Sequence, residues 1–107
     1  MGKFENITGN NGQYYFNLLA GNGQVILSSD AYSTAMERDY GISCVQVNVL
    51  DNSRFERKIS PGGKYYFLLK TANGKVIGMS RMYESEASRD NGIEAVKNNA
   101  IDAVVMA

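Results

Sequence analysis

The chain of 107 residues is long enough for one compact domain, or two very small units sharing a core, and too short for a multidomain enzyme. Its 11 Lys and Arg balance 11 Asp and Glu, so the net charge is zero and no whole-protein field draws nucleic acid or an anionic membrane. Hydrophobic residues at 44% imply a folded domain; the absence of His and a lone cysteine, Cys44, disfavour metal centres, internal disulfides and the usual neutral-pH general base.

The stretch from Met1 to Asn11 has neither the basic nor the apolar region of a secretory signal, so a cytoplasmic location is expected. No apolar run approaches the roughly 18 residues of a membrane span; even the segment Val45 to Leu50 is interrupted by Gln46 and Asn48. Cys44, between Ile42 and Val45, is expected to be buried and inert.

Shifting the chain by about 51 residues aligns Lys3 to Leu50 with Arg54 to Ile101 without a gap, and about 19 of the 48 positions are identical. The shared residues include Phe4/Phe55, Tyr14-Tyr15-Phe16/Tyr65-Tyr66-Phe67, Asn22-Gly23/Asn73-Gly74, Arg38-Asp39/Arg89-Asp90 and Gly41-Ile42/Gly92-Ile93. The single domain, 1–107, therefore contains repeat 1 at 3–50 and repeat 2 at 54–107. Units of this size are near the lower limit for an independent core, so the two are expected to share one.

In chain order, repeat 1 predicts a strand at Phe4 to Thr8, then a turn at Gly9-Asn10-Asn11-Gly12. Alternation over Tyr14 to Ala20 predicts a second strand, and Asn22-Gly23 reads as a two-residue hairpin leading into a third at Gln24 to Ser28. Thr34-Ala35-Met36-Glu37 is a capping box that opens a helix of roughly 13 residues, with Ile42, Val45 and Val49 as its buried stripe. Gly41 costs up to about 1 kcal/mol in a helix interior, so its recurrence as Gly92 predicts a close helix-to-sheet approach. Asn48 is expected to end the helix in the left-handed conformation. Repeat 2 follows suit, with the turn Ser60-Pro61-Gly62-Gly63, strands at Lys64 to Thr71 and Lys75 to Ser80, a Ser85 cap, an Ile93/Val96/Ala100 stripe and Asn99 as the stop. A last strand is expected within Asp102 to Ala107.

The pattern aromatic-Glu, Gly-x-Tyr-x-Phe-x-Leu-x-x-x-Asn-Gly-x-Val-Ile, Tyr-x-Ser/Thr and Gly-Ile-x-x-Val-x-x-Asn runs from Phe4 to Asn48 and again from Phe55 to Asn99. In these residues the chain resembles the YegP-like family of small bacterial domains of unknown function. The resemblance covers nearly the whole chain. It implies an α+β fold in which two tandem β-β-β-α(-β) repeats, related by a pseudo-twofold axis, build one mainly antiparallel sheet. Both helices would pack on one face, with the C-terminal strands exchanged between repeats. It implies no catalytic or binding residues. The outward positions of the second strand, usually basic or polar in that family, are here more apolar.

If both helices cover one face, the other is open, and period-two alternation assigns Tyr15, Asn17, Leu19, Tyr66, Leu68 and Lys70 to it. These six form the candidate interaction face for a protein or small-molecule ligand. The same residues also read as ordinary β-formers pairing across strands. Stacking of single-stranded RNA on the tyrosines is disfavoured by the lack of surplus positive charge. The Arg38-Asp39 and Arg89-Asp90 pairs are explained by ion pairing or helix-dipole effects, and the glycine-rich segments by turns, since neither carries the Lys-Ser/Thr of a phosphate loop. No catalytic residue, metal ligand or cofactor is assigned. The sequence is read as a monomeric, non-enzymatic binding or interaction module; the alternative is a small enzyme or nucleic-acid-binding accessory whose site is not singled out.

Overall fold

In a computed structural model, which describes residues 2–106, the elements follow the repeat. Strands β1 (Lys3–Thr8), β2 (Tyr14–Leu19) and β3 (Val25–Ser29) precede helix α1 (Ala35–Asn48); β4 (Phe55–Ile59), β5 (Tyr65–Lys70) and β6 (Val76–Met79) precede α2 (Glu86–Ala100), and β7 (Val104–Met106) follows. The seven strands form one sheet in the order β4-β5-β6-β3-β2-β1-β7. Every pairing is antiparallel except β1 with β7.

The two three-stranded meanders join where β3 meets β6. There Ser28 pairs with Met79, which is its own counterpart in the other repeat, so the pseudo-twofold axis runs through this pair. Only Ser28↔Met79 and Ser29↔Gly78 are in register across the seam. Leu27 and Gly78 are equivalent positions, yet one carries a large side chain and the other none. A methyl group added at Gly78 would lie 2.9 Å from Leu27 Cγ, so Leu27 occupies the space of both. The join is asymmetric because close packing near an axis leaves room for one such side chain.

Phe4, Phe16, Leu18 and Leu27 from repeat 1, and Phe55, Phe67, Leu69 and Ile77 from repeat 2, form one cluster with Ile42, Val45, Val49, Ile93, Val96 and Ala100 of the helical segments. Each helix crosses the axis: α1 lies against β2, β5 and β6, and α2 against β5, β2 and β3. Neither repeat has a core of its own, as their size requires. The helices also meet directly, where Gln46 Nε2 donates to the Ala100 carbonyl at 3.3 Å.

The cap at α1 is the expected reciprocal box. Thr34 Oγ1 accepts from the Glu37 amide at 3.1 Å, and Glu37 Oε1 accepts from the Thr34 amide at 3.2 Å. At α2, Ser85 Oγ accepts from the Ser88 amide, and no carboxylate returns the bond. The Gly41 expectation is also met, through the segment just past β3. A Cβ at Gly41 would overlap the Tyr32 hydroxyl and approach Phe16, and Gly92 stands in the same relation to Tyr83. Tyr32 is held there by pairing with Tyr14, and Tyr83 by pairing with Tyr65.

Four local expectations change. The Asn22-Gly23 and Asn73-Gly74 turns are not two-residue hairpins. The Gly23 amide donates to the Ala20 carbonyl and the Ala20 amide to Gln24, leaving a three-residue loop in which only Gly23, at φ 85°, is left-handed. This type I turn plus glycine bulge leaves Asn22 with ordinary negative φ, and Thr71 to Lys75 repeat it. Asn48 and Asn99 do not turn left-handed either: no described residue other than glycine has positive φ. Their side chains instead donate back to the Cys44 and Ala95 carbonyls, at 2.7 and 2.8 Å, inside or at the end of helices that run to 14 and 15 residues. The strand exchange runs one way, because β7 adds to β1 whereas the segment after α1 forms a short 3-10 turn, Asn52–Arg54, leading into β4. Cys44 is half-buried at the core's edge rather than enclosed.

Candidate functional site

With Phe16, Leu18, Phe67 and Leu69 in the core, alternation places Tyr15, Asn17, Leu19, Tyr66, Leu68 and Lys70 on the helix-free face. The six share a face without forming one patch. Strands β3 and β6 separate β2 from β5, a backbone distance of about 14 Å for three strand spacings. Across the middle of the face the register lines up Glu5, Asn17, Ser28, Met79, Leu68 and Glu56. Repeat 1 therefore contributes only polar groups to this row, whereas repeat 2 sets the apolar Leu68 and Met79 beside Glu56.

Neighbouring strands shield most of the six. Leu19 is buried, its β2–β3 pairing displaced by a bulge at Leu18/Leu19, and the other five are half-buried. Tyr15 accepts a hydrogen bond from Asn11 Nδ2 at 3.2 Å. Lys70 Nζ lies 2.6 Å from Glu56 Oε1, and this hydrogen-bonded cation holds the Glu56 carboxyl below the usual carboxylate range. At the seam, Leu68, Val76, Met79, Ser28 and Asp30 line a shallow groove of about 250 Å³, in which Met79 is 44% exposed.

The Arg-Asp pairs lie on the other face, at the sheet ends beneath the helix starts. Arg38 stands over the Tyr14 ring and Arg89 over the Tyr65 ring, each 5.5 Å from the centroid. Arg38 meets Asp39 at 3.3 Å and Arg89 meets Asp90 at 3.2 Å. Asp90 also receives Arg57 of β4 at 2.9 Å, and that hydrogen bond is the main reason its carboxyl is held below the ordinary value. In repeat 1 the position of Arg57 is occupied by Asn6. These are stacked, paired side chains that tie helix to sheet.

Beside α1 the structure shows a concavity to which the sequence reading assigned nothing. Three adjoining depressions, of about 310, 350 and 380 Å³, run along the helix and share Tyr40. Tyr32 and Cys44 contribute to the helix side; the opposite wall is the β5–β6 turn, with Thr71, Lys75 and Val76. Tyr32 stacks on Phe16 with centroids 6.2 Å apart, and burial pushes its phenol pKa up, with Cys44 and Asp30 adding to the rise. The signal was present in the sequence. Met36, Tyr40, Val47 and Leu50 are spaced by four, seven and three residues, so they share a helix face, and all four are exposed. The Ile42/Val45/Val49 stripe, which meets the core, drew attention away from it.

The fold and these surfaces define a tandem-repeat α+β protein with internal pseudo-twofold symmetry and no recognisable reaction centre among the described residues. Residues 10–56 and 61–106 each match a domain described as "Domain of unknown function (DUF1508)", and the chain belongs to this family, whose curated relatives are named UPF0339 proteins. A UPF0339 protein of Acinetobacter baylyi is 48% identical over 104 residues, covering 97% of this chain and 94% of its own. YegP of Escherichia coli is 40% identical over 104 residues, again 97% and 94%. The solution NMR structure of the E. coli YegP protein superposes with a TM-score of 0.92, covering 97% of this chain and 90% of that one. That of a UPF0339 protein from Shewanella oneidensis gives 0.91 at 40% identity, covering 97% and 88%. The resemblance drawn from the repeated motif is thus correct in family and in fold. No described helix is long and apolar enough to cross a membrane.

Proposed function

We propose that this protein is a non-enzymatic binding module, monomeric because its repeats pair with each other, that holds an extended apolar protein segment on the helix-free face of its sheet. The observation that carries this reading is the seam groove, where Leu68, Val76 and Met79 leave apolar surface on a face that no helix covers. An extended segment fits because the groove is shallow and lies open on the face that no helix covers. Nucleic acid fits poorly, since the central row of the face includes Glu5 and Glu56. A non-enzymatic role is further supported by the carboxylates. Where displaced, at Asp51, Glu56 and Asp90, their pKa values are lowered by hydrogen bonds from Ser53, Lys70 and Arg57, whereas a general acid needs the opposite shift.

The test is an amide-shift titration of isotope-labelled protein with synthetic peptides of alternating apolar residues, after sedimentation has fixed the oligomeric state. Saturable shifts at Ser28, Leu68 and Met79, removed by Met79→Lys and by Leu68→Lys, support the assignment. Shifts that survive both substitutions, or that lie only in the β1–β2 and β4–β5 turns, overturn it. A dimer in sedimentation that both substitutions dissociate overturns the monomer and puts a second copy on the face.

A further inference from the structure

We propose that the groove between α1 and the β5–β6 turn binds a small planar aromatic carboxylate, with the ring against Tyr32 and Tyr40 and the carboxylate on Lys75. Its central depression, about 310 Å³, is within the usual range of about 300–1,000 Å³ for small-ligand sites and takes a one- or two-ring molecule. Its walls supply rings and aliphatic groups: Tyr32 is fixed by its stacking on Phe16, whereas Tyr40, 72% exposed, has a ring free to lie over a guest.

The charge at the mouth selects the guest. Lys64, Lys70 and Lys97 each meet a carboxylate within 3.4 Å, whereas Lys75, like Lys3 and Lys58 away from this groove, meets none among the described residues. Of the residues lining the three depressions, Glu37 alone is acidic, and its Oε1 already accepts from the Thr34 amide and hydroxyl. An apolar, aromatic-walled groove with one uncommitted ammonium group favours a ring bearing a negative charge over either property alone.

The duplication provides an internal control. Across the pseudo-twofold axis the framework is the same: Tyr83 for Tyr32, Gly92 for Gly41, Val25 for Val76 and Ile26 for Ile77. The recognition groups differ on both walls. Asn91 replaces Tyr40 and Ala95 replaces Cys44 on the helix, while Ala20 replaces Thr71 and Gln24 replaces Lys75 on the turn. Ring, thiol, hydroxyl and ammonium thus converge in this groove, and none of the four stands at the equivalent positions across the axis.

The experiment is an amide-shift titration of the full chain with indole-3-acetate and, separately, its uncharged amide. The proposal expects saturable shifts at Gly41, Cys44, Thr71 and Lys75, with Gln24 and Asn91 unmoved. The amide should bind about fivefold more weakly, the effect of one partly exposed ion pair. Lys75→Gln, a substitution at an exposed turn, should erase that difference and leave amide binding as before, and Tyr40→Ala should weaken both ligands. Equal binding of acid and amide, a Lys75→Gln protein that still prefers the acid, shifts at Gln24 and Asn91 equal to those at Lys75 and Gly41, or no shift overturns it. The residues read here differ from those of the seam groove, so either assignment can fail alone.

Discussion

Helices α1 and α2 occupy equivalent places on the sheet and bury equivalent stripes, yet their outward faces differ. Met36, Tyr40 and Val47 are 81%, 72% and 66% exposed on α1, whereas Ala87, Asn91 and Asn98 stand at the matching positions of α2. The same split appears at the sheet centre, where Leu27 faces Gly78, and on the open face, where Asn17 and Ser28 correspond to Leu68 and Met79. Most positions facing the shared core are held alike in both repeats because each completes the packing of the other; Leu27/Gly78 at the axis and Val49/Ala100 at the helix ends are the exceptions. Positions facing solvent carry no such constraint, and there the copies have become two different surfaces.

The largest expected effect comes from removing the asymmetry at the axis. Gly78→Leu makes the repeats alike at that position and drives a side chain into Leu27, which is fully buried, for a loss of about 1–3 kcal/mol or more in chemical denaturation. Leu27→Gly leaves a cavity and should cost about 2–5 kcal/mol. The double exchange, Leu27→Gly with Gly78→Leu, reflects the pair through the axis and should be well below the sum of the two. Full additivity would show that the two positions do not share one space.

A smaller difference is expected at the caps. Thr34→Ala leaves the Glu37 amide without its acceptor and takes the hydroxyl away from the Glu37 carboxylate, which keeps its bond from the backbone amide, whereas Ser85→Ala removes a one-way cap. Each should cost about 1 kcal/mol, with the Thr34 variant the more destabilised; equal losses would show that the bond from the Thr34 hydroxyl to the Glu37 carboxylate contributes nothing.

The smallest effect concerns Asp90. Arg57 holds its carboxyl below the ordinary value in the folded protein, so the associated stability is complete above the unfolded value of about 3.9 and fades as pH falls through the folded one. Arg57→Ala should move the Asp90 titration upward in a carboxyl-detected pH series. An unmoved midpoint would transfer the role to Arg89, the weaker of the two hydrogen-bond partners.

How much of this was legible depended on the range of the interactions. The repeat, the three-strand-plus-helix order, the capping box and the glycine beneath Tyr32 follow from identities and spacings along the chain. The turn geometry did not, because Asn-Gly suits both a two-residue hairpin and a three-residue loop, and the φ of Asn22 decides between them. The helix ends were misjudged at Asn48 and Asn99, whose side chains return to the carbonyl four residues back instead of forcing a left-handed residue. Alternation alone assigns the six candidate residues to one face. That strands β3 and β6 part them into two groups depended on strand order, which periodicity does not encode.

By itself, then, the sequence determined the unit, its duplication and the inward half of every element, since these rest on period, local hydrogen bonding and the need of a small repeat for a partner core. Only the tertiary structure decided which strands meet at the axis, that β7 joins β1 without a counterpart, and that Tyr40 and Lys75, 35 positions apart in the chain, line one groove. Those outcomes depend on contacts between residues distant in sequence, where the space left by one side chain, such as Leu27 over Gly78, sets what its neighbour can be.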